Sequence, residues 1–199
     1  MIYILGGMIR HPEMNPDAFL LMLCHELGHH LGGAPRRFRG QTIQRSWSSA
    51  EGQADYFARA KCLPRLFKEA EFPIVNFDDA MSICSNSTTR VGSMNAALSL
   101  TRLFATLKRG LAIPQVMKKD SFETVATIYG HSSPQCRPDT FISGALCDLK
   151  DEDFDPFDPT IGACVRSENG FDDVVGARPR CWYFLSRFLS KKMTFIIPF

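Results

Sequence analysis

The chain has 199 residues, of which 45% are hydrophobic and 22% charged, with a formal net charge of +2. This is the composition of one globular domain able to bury a core, and so balanced a charge gives no footing for a nucleic-acid surface. The best apolar run, residues 19–24, is broken at once by His25 and Glu26 and is far too short for a membrane span. Seven cysteines, at 24, 62, 84, 136, 147, 164 and 181, include no C-x-x-C pair. They read as disulfides of a secreted or periplasmic protein rather than as a cysteine zinc site. The opening MIYILGGMIRHP lacks the layout of a secretion signal, so a signal and an upstream segment are expected to precede it.

In chain order, IYILGGMI (2–9) reads as a short strand interrupted by Gly6 and Gly7. Asn15-Pro16-Asp17 announces a helix: an N-cap residue, proline in the first turn, and an acid at the positive dipole end. The helix should stop at Gly32-Gly33, with Pro35 behind. Within it, Leu20, Cys24, Leu27 and Leu31 have the spacing of a buried stripe, and Ala18, Met22, His25 and His29 lie on another face. A basic polar connection follows at 36–45. Ser48 then starts a second helix, expected to run to about Cys62 and end at Pro64, and a third spans about 93–109. Residues 148–180 turn acidic and rich in Gly and Pro. The expected organisation is an α+β domain over 1–147, mainly helical with a small N-terminal sheet, and an irregular disulfide-held extension of it over 148–199.

The chemistry concentrates in HELGH, residues 25–29. Positions i and i+4 of a helix share one face, about 5–6 Å apart at Cβ, so His25 and His29 can converge on one zinc ion. Glu26 lies about 100° round the helix. There it can face a metal-activated water as general base without becoming a ligand. The bland alternative is a pair of core or surface histidines. His30 falls off the ligand face.

A hydrolytic zinc site needs a third protein donor and an open position. SSAEGQADYFA (48–58) offers Glu51 and Asp55, again i and i+4. Glu51 can complete the metal set while Asp55 accepts the free N–H of a ligating histidine and fixes its tautomer. Taken singly, Ser48-x-x-Glu51 is also a capping box and Asp55 with Arg59 an ordinary ion pair. Their position shortly after HELGH favours the ligand reading.

HExxH followed about twenty residues later by ExxxD resembles the gluzincin zinc metallopeptidases, the thermolysin-like enzymes and compact minigluzincins. The stretch GGMIRHP-x-MNPDAFLLMLCHELGHHLGGAP is similar to secreted bacterial metallopeptidases with a CHExGH signature, of the Bdellovibrio type. The resemblance implies a zincin-like fold in which an active-site helix meets a glutamate helix, and peptide-bond hydrolysis on Zn2+ with a peptide or protein as partner. It also implies a substrate strand laid along a sheet edge, for which Gly6 and Gly7 are the candidates. The tetrahedral oxyanion needs one further donor; His131 in YGHSSPQC comes first among the candidates, then Tyr129 and Tyr56, although an ordinary surface histidine is the favoured reading of His131 taken alone.

Other signals are weaker. Asp151, Asp153, Asp155 and Asp158 begin like a calcium loop but have Pro156 where glycine is required. Proximity along the chain suggests the bridges Cys62–Cys84, Cys136–Cys147 and Cys164–Cys181, with Cys24 as a buried free thiol. The competing functional class is a non-catalytic zinc-binding or interaction module that keeps this geometry. A deformylase-like hydrolase would require a cysteine ligand instead of Glu51.

Overall fold

A computed structural model describes residues 2–4, 6–69, 88–107, 113–115, 118–148, 152–165 and 174–184, with the backbone alone at 67–69 and 88–94. The elements are helix α1 (Gly6–Ile9), helix α2 (Pro16–Leu31), strands β1 (Arg36–Phe38) and β2 (Arg45–Ser49), and helix α3 (Glu51–Phe57). A π-helical turn (Ala58–Cys62) leads into α4 (Leu63–Glu69), and α5 (Thr88–Leu107) and α6 (Cys136–Leu146) follow. This is a mixed fold of helices and one small antiparallel sheet. No helix among the described residues is long and apolar enough to cross a membrane.

Helix α2 forms where the local signals put it. The Asn15 side chain accepts from the Ala18 amide at 2.8 Å, Pro16 needs no donor, and Asp17 sits in the first turn. Its far end is closed from outside the helix. Gln53 Nε2 donates to the Gly32 carbonyl at 2.6 Å and Ser49 Oγ to the Gly33 carbonyl at 2.7 Å, satisfying carbonyls that a helix end leaves orphaned. The buried face of α2 is not the expected leucine stripe, because Leu27 and Leu31 are exposed. It is the face of Ala18, Leu21, Met22, His25 and Gly28, because α3 and α5 pack there.

That packing depends on a glycine. A Cβ at Gly28 would stand 2.7 Å from the Ala54 carbonyl oxygen and 2.8 Å from its Cα, so α2 and α3 touch backbone to backbone. Gly28→Ala is expected to lower stability by about 2 kcal/mol through overpacking, measured by guanidinium unfolding. Gly7→Ala, whose methyl would meet nothing within 4 Å, is the control and should not fall with it.

Four expectations about elements are corrected. Residues 6–9 are one helical turn rather than a strand: Arg10 N bonds to Gly6 O, and His11 N to Met8 O. Met8 packs on the first core, so the segment is wound inward, and Gly6 and Gly7 provide no sheet edge. The sheet instead lies in the basic connection, where β1 and β2 pair antiparallel with Arg36 opposite Ser49 and Phe38 opposite Arg45. Finally, Ser48 belongs to β2 and Ala50 is the N-cap of α3 without a side-chain bond, so there is no capping box. Nor does Pro64 end the helix. Leu63 N reaches Ala58 O, five residues back, and this widened turn accommodates a residue that has no N–H and crowds the carbonyl four residues before it.

Two cores flank the glutamate helix. In the first, Leu21 and Cys24 of α2 meet Ala58, Leu63, Leu100 of α5 and Phe141 of α6. The second gathers Tyr56 and Ala60 with Phe154, Cys164, Trp182 and Tyr183, so described parts of 148–184 pack directly on α3. Residues 51–56 are all buried, and the carboxylates of this helix are therefore held away from water.

The disulfides also correct the expected pairing. They are Cys24–Cys62, Cys136–Cys181 and Cys147–Cys164; Cys84 lies outside the described residues. Cys24 is no free thiol because its helix face meets the end of the π turn, which brings Cys62 to 5.6 Å at Cα. The third expected helix begins at Thr88, earlier than 93. The helix α6 was not anticipated; Ser133 Oγ accepts from Cys136 N at 3.1 Å where it begins.

Candidate metal centre

Helices α2 and α3, joined by the hairpin, bring His25, His29 and Glu51 together. His25 Nε2 lies 3.4 Å and His29 Nε2 3.6 Å from Glu51 Oε2. One donor atom from each residue falls within a 4.8 Å span. Three donors about 2.0–2.1 Å from a tetrahedral centre lie about 3.3 Å from one another, so the spacing suits a small cation.

The other ring nitrogens are already committed. His25 Nδ1 meets Asp55 Oδ1 at 2.7 Å, and His29 Nδ1 meets the Ser49 carbonyl oxygen at 3.0 Å. A nitrogen facing a carboxylate or a carbonyl donates its proton, which leaves each Nε2 with its lone pair directed at Glu51. Glu51 Oε2 is buried and makes no hydrogen bond. A buried carboxylate oxygen without a donor is costly, and a cation placed between it and the two lone pairs would satisfy all three atoms. The residues present therefore fit a metal ion.

Without a cation between them, the buried charges hold one another as ion pairs. Burial alone would raise the pKa values of Glu51 and Asp55, yet both carboxyls are held well below the usual range. The close approach and charge of His25 do this for Glu51, with His29 adding to it. For Asp55 it is chiefly the Arg137 guanidinium. Burial works against a charge on His25, but Asp55 overrides it and pushes the imidazole upward. His29 shifts downward, through burial first and then the neighbouring His25 charge.

Arg137, on the unanticipated α6, is the functional neighbour that sequence reasoning missed. Its Nη2 donates to Asp55 Oδ1 at 3.0 Å, and its Nε lies 2.9 Å from Oδ2. The separation of 82 residues leaves no local signal for such a pair. The carbonyl partner of His29 was equally hidden, since Ser49 acts through its backbone.

The remaining candidates divide. Glu26 lines a cleft with His29, His30, Arg37 and Trp47; His30 is outside the donor set and stacks on Trp47, centroids 4.4 Å apart. On the other side His131 Nδ1 reaches 3.5 Å from Glu51 Oε2, its side chain 67% exposed. It lines a second cavity of about 220 Å³ with Phe104 and Arg137. Tyr129 touches the site through its carbonyl, which accepts from Glu51 N at 3.3 Å, while its ring packs on Phe38. Tyr56 faces away, donating its hydroxyl proton to the Gly176 carbonyl. A further group, Asp120 with Cys136 and Cys181, offers no thiolates because its sulfurs are bonded to each other.

No protein-family model, curated protein or solved structure matches this chain. The chemistry of the centre therefore rests on its own geometry. Two imidazoles and a carboxylate form a nitrogen and oxygen donor set with two cavities beside it, one containing Glu26 and the other His131.

Proposed function

We propose that this protein is a zinc-dependent metallopeptidase of the gluzincin type, with His25, His29 and Glu51 as ligands and Glu26 as general base. The observation that carries the reading is the buried, donorless Glu51 Oε2 facing two imidazole nitrogens whose partners fix them as acceptors. Two histidines and a carboxylate are a donor set that zinc favours in hydrolytic sites, and structural zinc sites are usually closed by four protein donors. When bound, zinc supplies Lewis acidity, polarising a peptide carbonyl and acidifying a water.

The rest is the work of this chain's own residues. Glu26, beside a ligand on the helix but in the cleft, takes the proton of the attacking water and passes it to the departing amine. His131, whose Nδ1 lies 3.5 Å from Glu51 Oε2, donates to the oxyanion. Asp55, gripped by Arg137, holds the His25 ring in its binding tautomer. Three disulfides among the described residues suit a secreted or periplasmic setting.

The deciding experiment pairs metal analysis with hydrolysis of an unfolded protein substrate. Wild type should bind one zinc per chain and cleave. Glu26→Gln should keep its zinc and lose at least about 10²-fold in turnover. Equal turnover by the two proteins would remove Glu26 from the mechanism, and a zinc-loaded wild type that cleaves nothing would leave a non-catalytic zinc module.

A further inference from the structure

The two oxygens of Glu51 are not equivalent. Oε2 faces the two histidines and has no hydrogen bond. Oε1 accepts from Arg37 Nη1 at 3.3 Å. Arg37 sits in the middle of β1, and both of its neighbours are pinned. Arg36 donates through Nε to the Pro156 carbonyl at 2.6 Å and through Nη1 to the Trp47 carbonyl. Phe38 is held between the Tyr129 ring, at 4.9 Å, and the Arg45 guanidinium, 3.8 Å from its centroid. The hairpin thus delivers one guanidinium to a fixed place beside a carboxylate whose side chain is only 10% exposed.

We infer that Arg37 is a positioning residue for the metal centre: it occupies Oε1, so that Glu51 presents Oε2 alone as a one-oxygen ligand. This rests on Glu51 being a ligand. The physical argument is that a free carboxylate can offer a metal either oxygen or both. A charge-assisted hydrogen bond to one of them, about twice as strong as a neutral one, removes that oxygen from competition and fixes the rotation of the group. One-oxygen ligation keeps the coordination number low and leaves a position for water. Lysine has one compact ammonium on a more flexible stem, and should do this less well than arginine.

The competing role for a half-exposed cation in the Glu26 cleft is to bind the free carboxylate at the end of a peptide substrate. The test compares wild type, Arg37→Met and Arg37→Lys, using zinc affinity by competition with a chelator and the visible spectrum of the cobalt(II)-loaded protein. Four-coordinate cobalt(II) absorbs far more strongly than its five- or six-coordinate forms. Arg37→Met is expected to weaken zinc binding about tenfold, in the range seen when an outer partner of a ligand is lost. Its cobalt(II) absorption should fall as Glu51 turns to two-oxygen ligation, and Arg37→Lys should recover part of both. Unchanged affinity and spectrum in Arg37→Met would overturn the inference. So would a defect confined to KM for peptides with a free C-terminal carboxylate. A wild type that takes up neither metal would defeat the ligand assignment itself. Altered metal binding in Arg37→Met beside a wild type that hydrolyses no peptide would uphold Arg37 while removing the peptidase reading.

Discussion

Alanine at His25 or at Glu51 is expected to yield folded protein that no longer retains zinc through gel filtration, where wild type keeps one ion per chain. Each substitution takes away one of the three protein donors found among the described residues, and two donors do not hold zinc against dilution. Folding is expected to survive because neither change cuts a disulfide or empties either core. Losing His25 still leaves Asp55 paired with Arg137, so no bare charge is created there. Losing Glu51 removes a buried carboxylate outright. Asp55→Asn should behave differently. It keeps the ligands but weakens the bond that orients His25 and the pair with Arg137, so affinity should fall about 10–100-fold while binding persists. Thermal unfolding provides a second readout. Free zinc should raise Tm in wild type, since the ion binds only the folded site, and should do nothing for His25→Ala. Full zinc content in both alanine variants would end the assignment.

The parts of this site legible in the sequence are those encoded within one or two helical turns. HELGH fixes two imidazoles on one face, and E-x-x-x-D fixes two carboxylates; the contact between Asp55 and His25 follows once the two helices touch. The Asn15 cap is equally local. What was not legible depends on what packs against what. Leu27 and Leu31 share the period of Leu20 and Cys24, but no described element covers the end of that stripe, and they stay exposed. The run 36–45 looks like a charged connection because arginines dominate it. In the fold its arginines reach carbonyls, rings and Glu51, and those bonds make it a hairpin. Pro64 ends a helix only if the turn before it keeps its usual width, and that turn widens. Arg137 could not be read at all, since nothing near it in the chain indicates Asp55.

The cysteines show the same limit and lead to a large expected stability effect. Pairing by proximity along the chain left Cys24 alone, yet it bonds to Cys62 across 38 residues. This bridge joins the residue just before His25 to the turn that follows the helix bearing Glu51 and Asp55. It therefore ties together the two elements on which the metal donors sit. In the chain-entropy account, closing a loop of that length stabilises the folded state by about 4 kcal/mol. The double variant Cys24→Ala, Cys62→Ala should lose roughly that amount, plus a smaller packing penalty, because Cys24 is fully buried in the first core. Guanidinium unfolding of zinc-free protein measures it without a contribution from the metal. The Cys147–Cys164 bridge, spanning 17 residues within the second core with neither cysteine on a donor-bearing helix, should cost about 3 kcal/mol when removed and leave zinc affinity nearly unchanged. Loss of Cys24–Cys62 should weaken zinc binding as well, because the middle of α2 and the π turn are no longer tied to hold His25 and Glu51 in register. A double variant as stable as wild type, or one destabilised with zinc affinity intact, would show that the packing of α2 on α3 at Gly28 and Ala54 holds the centre without the bridge.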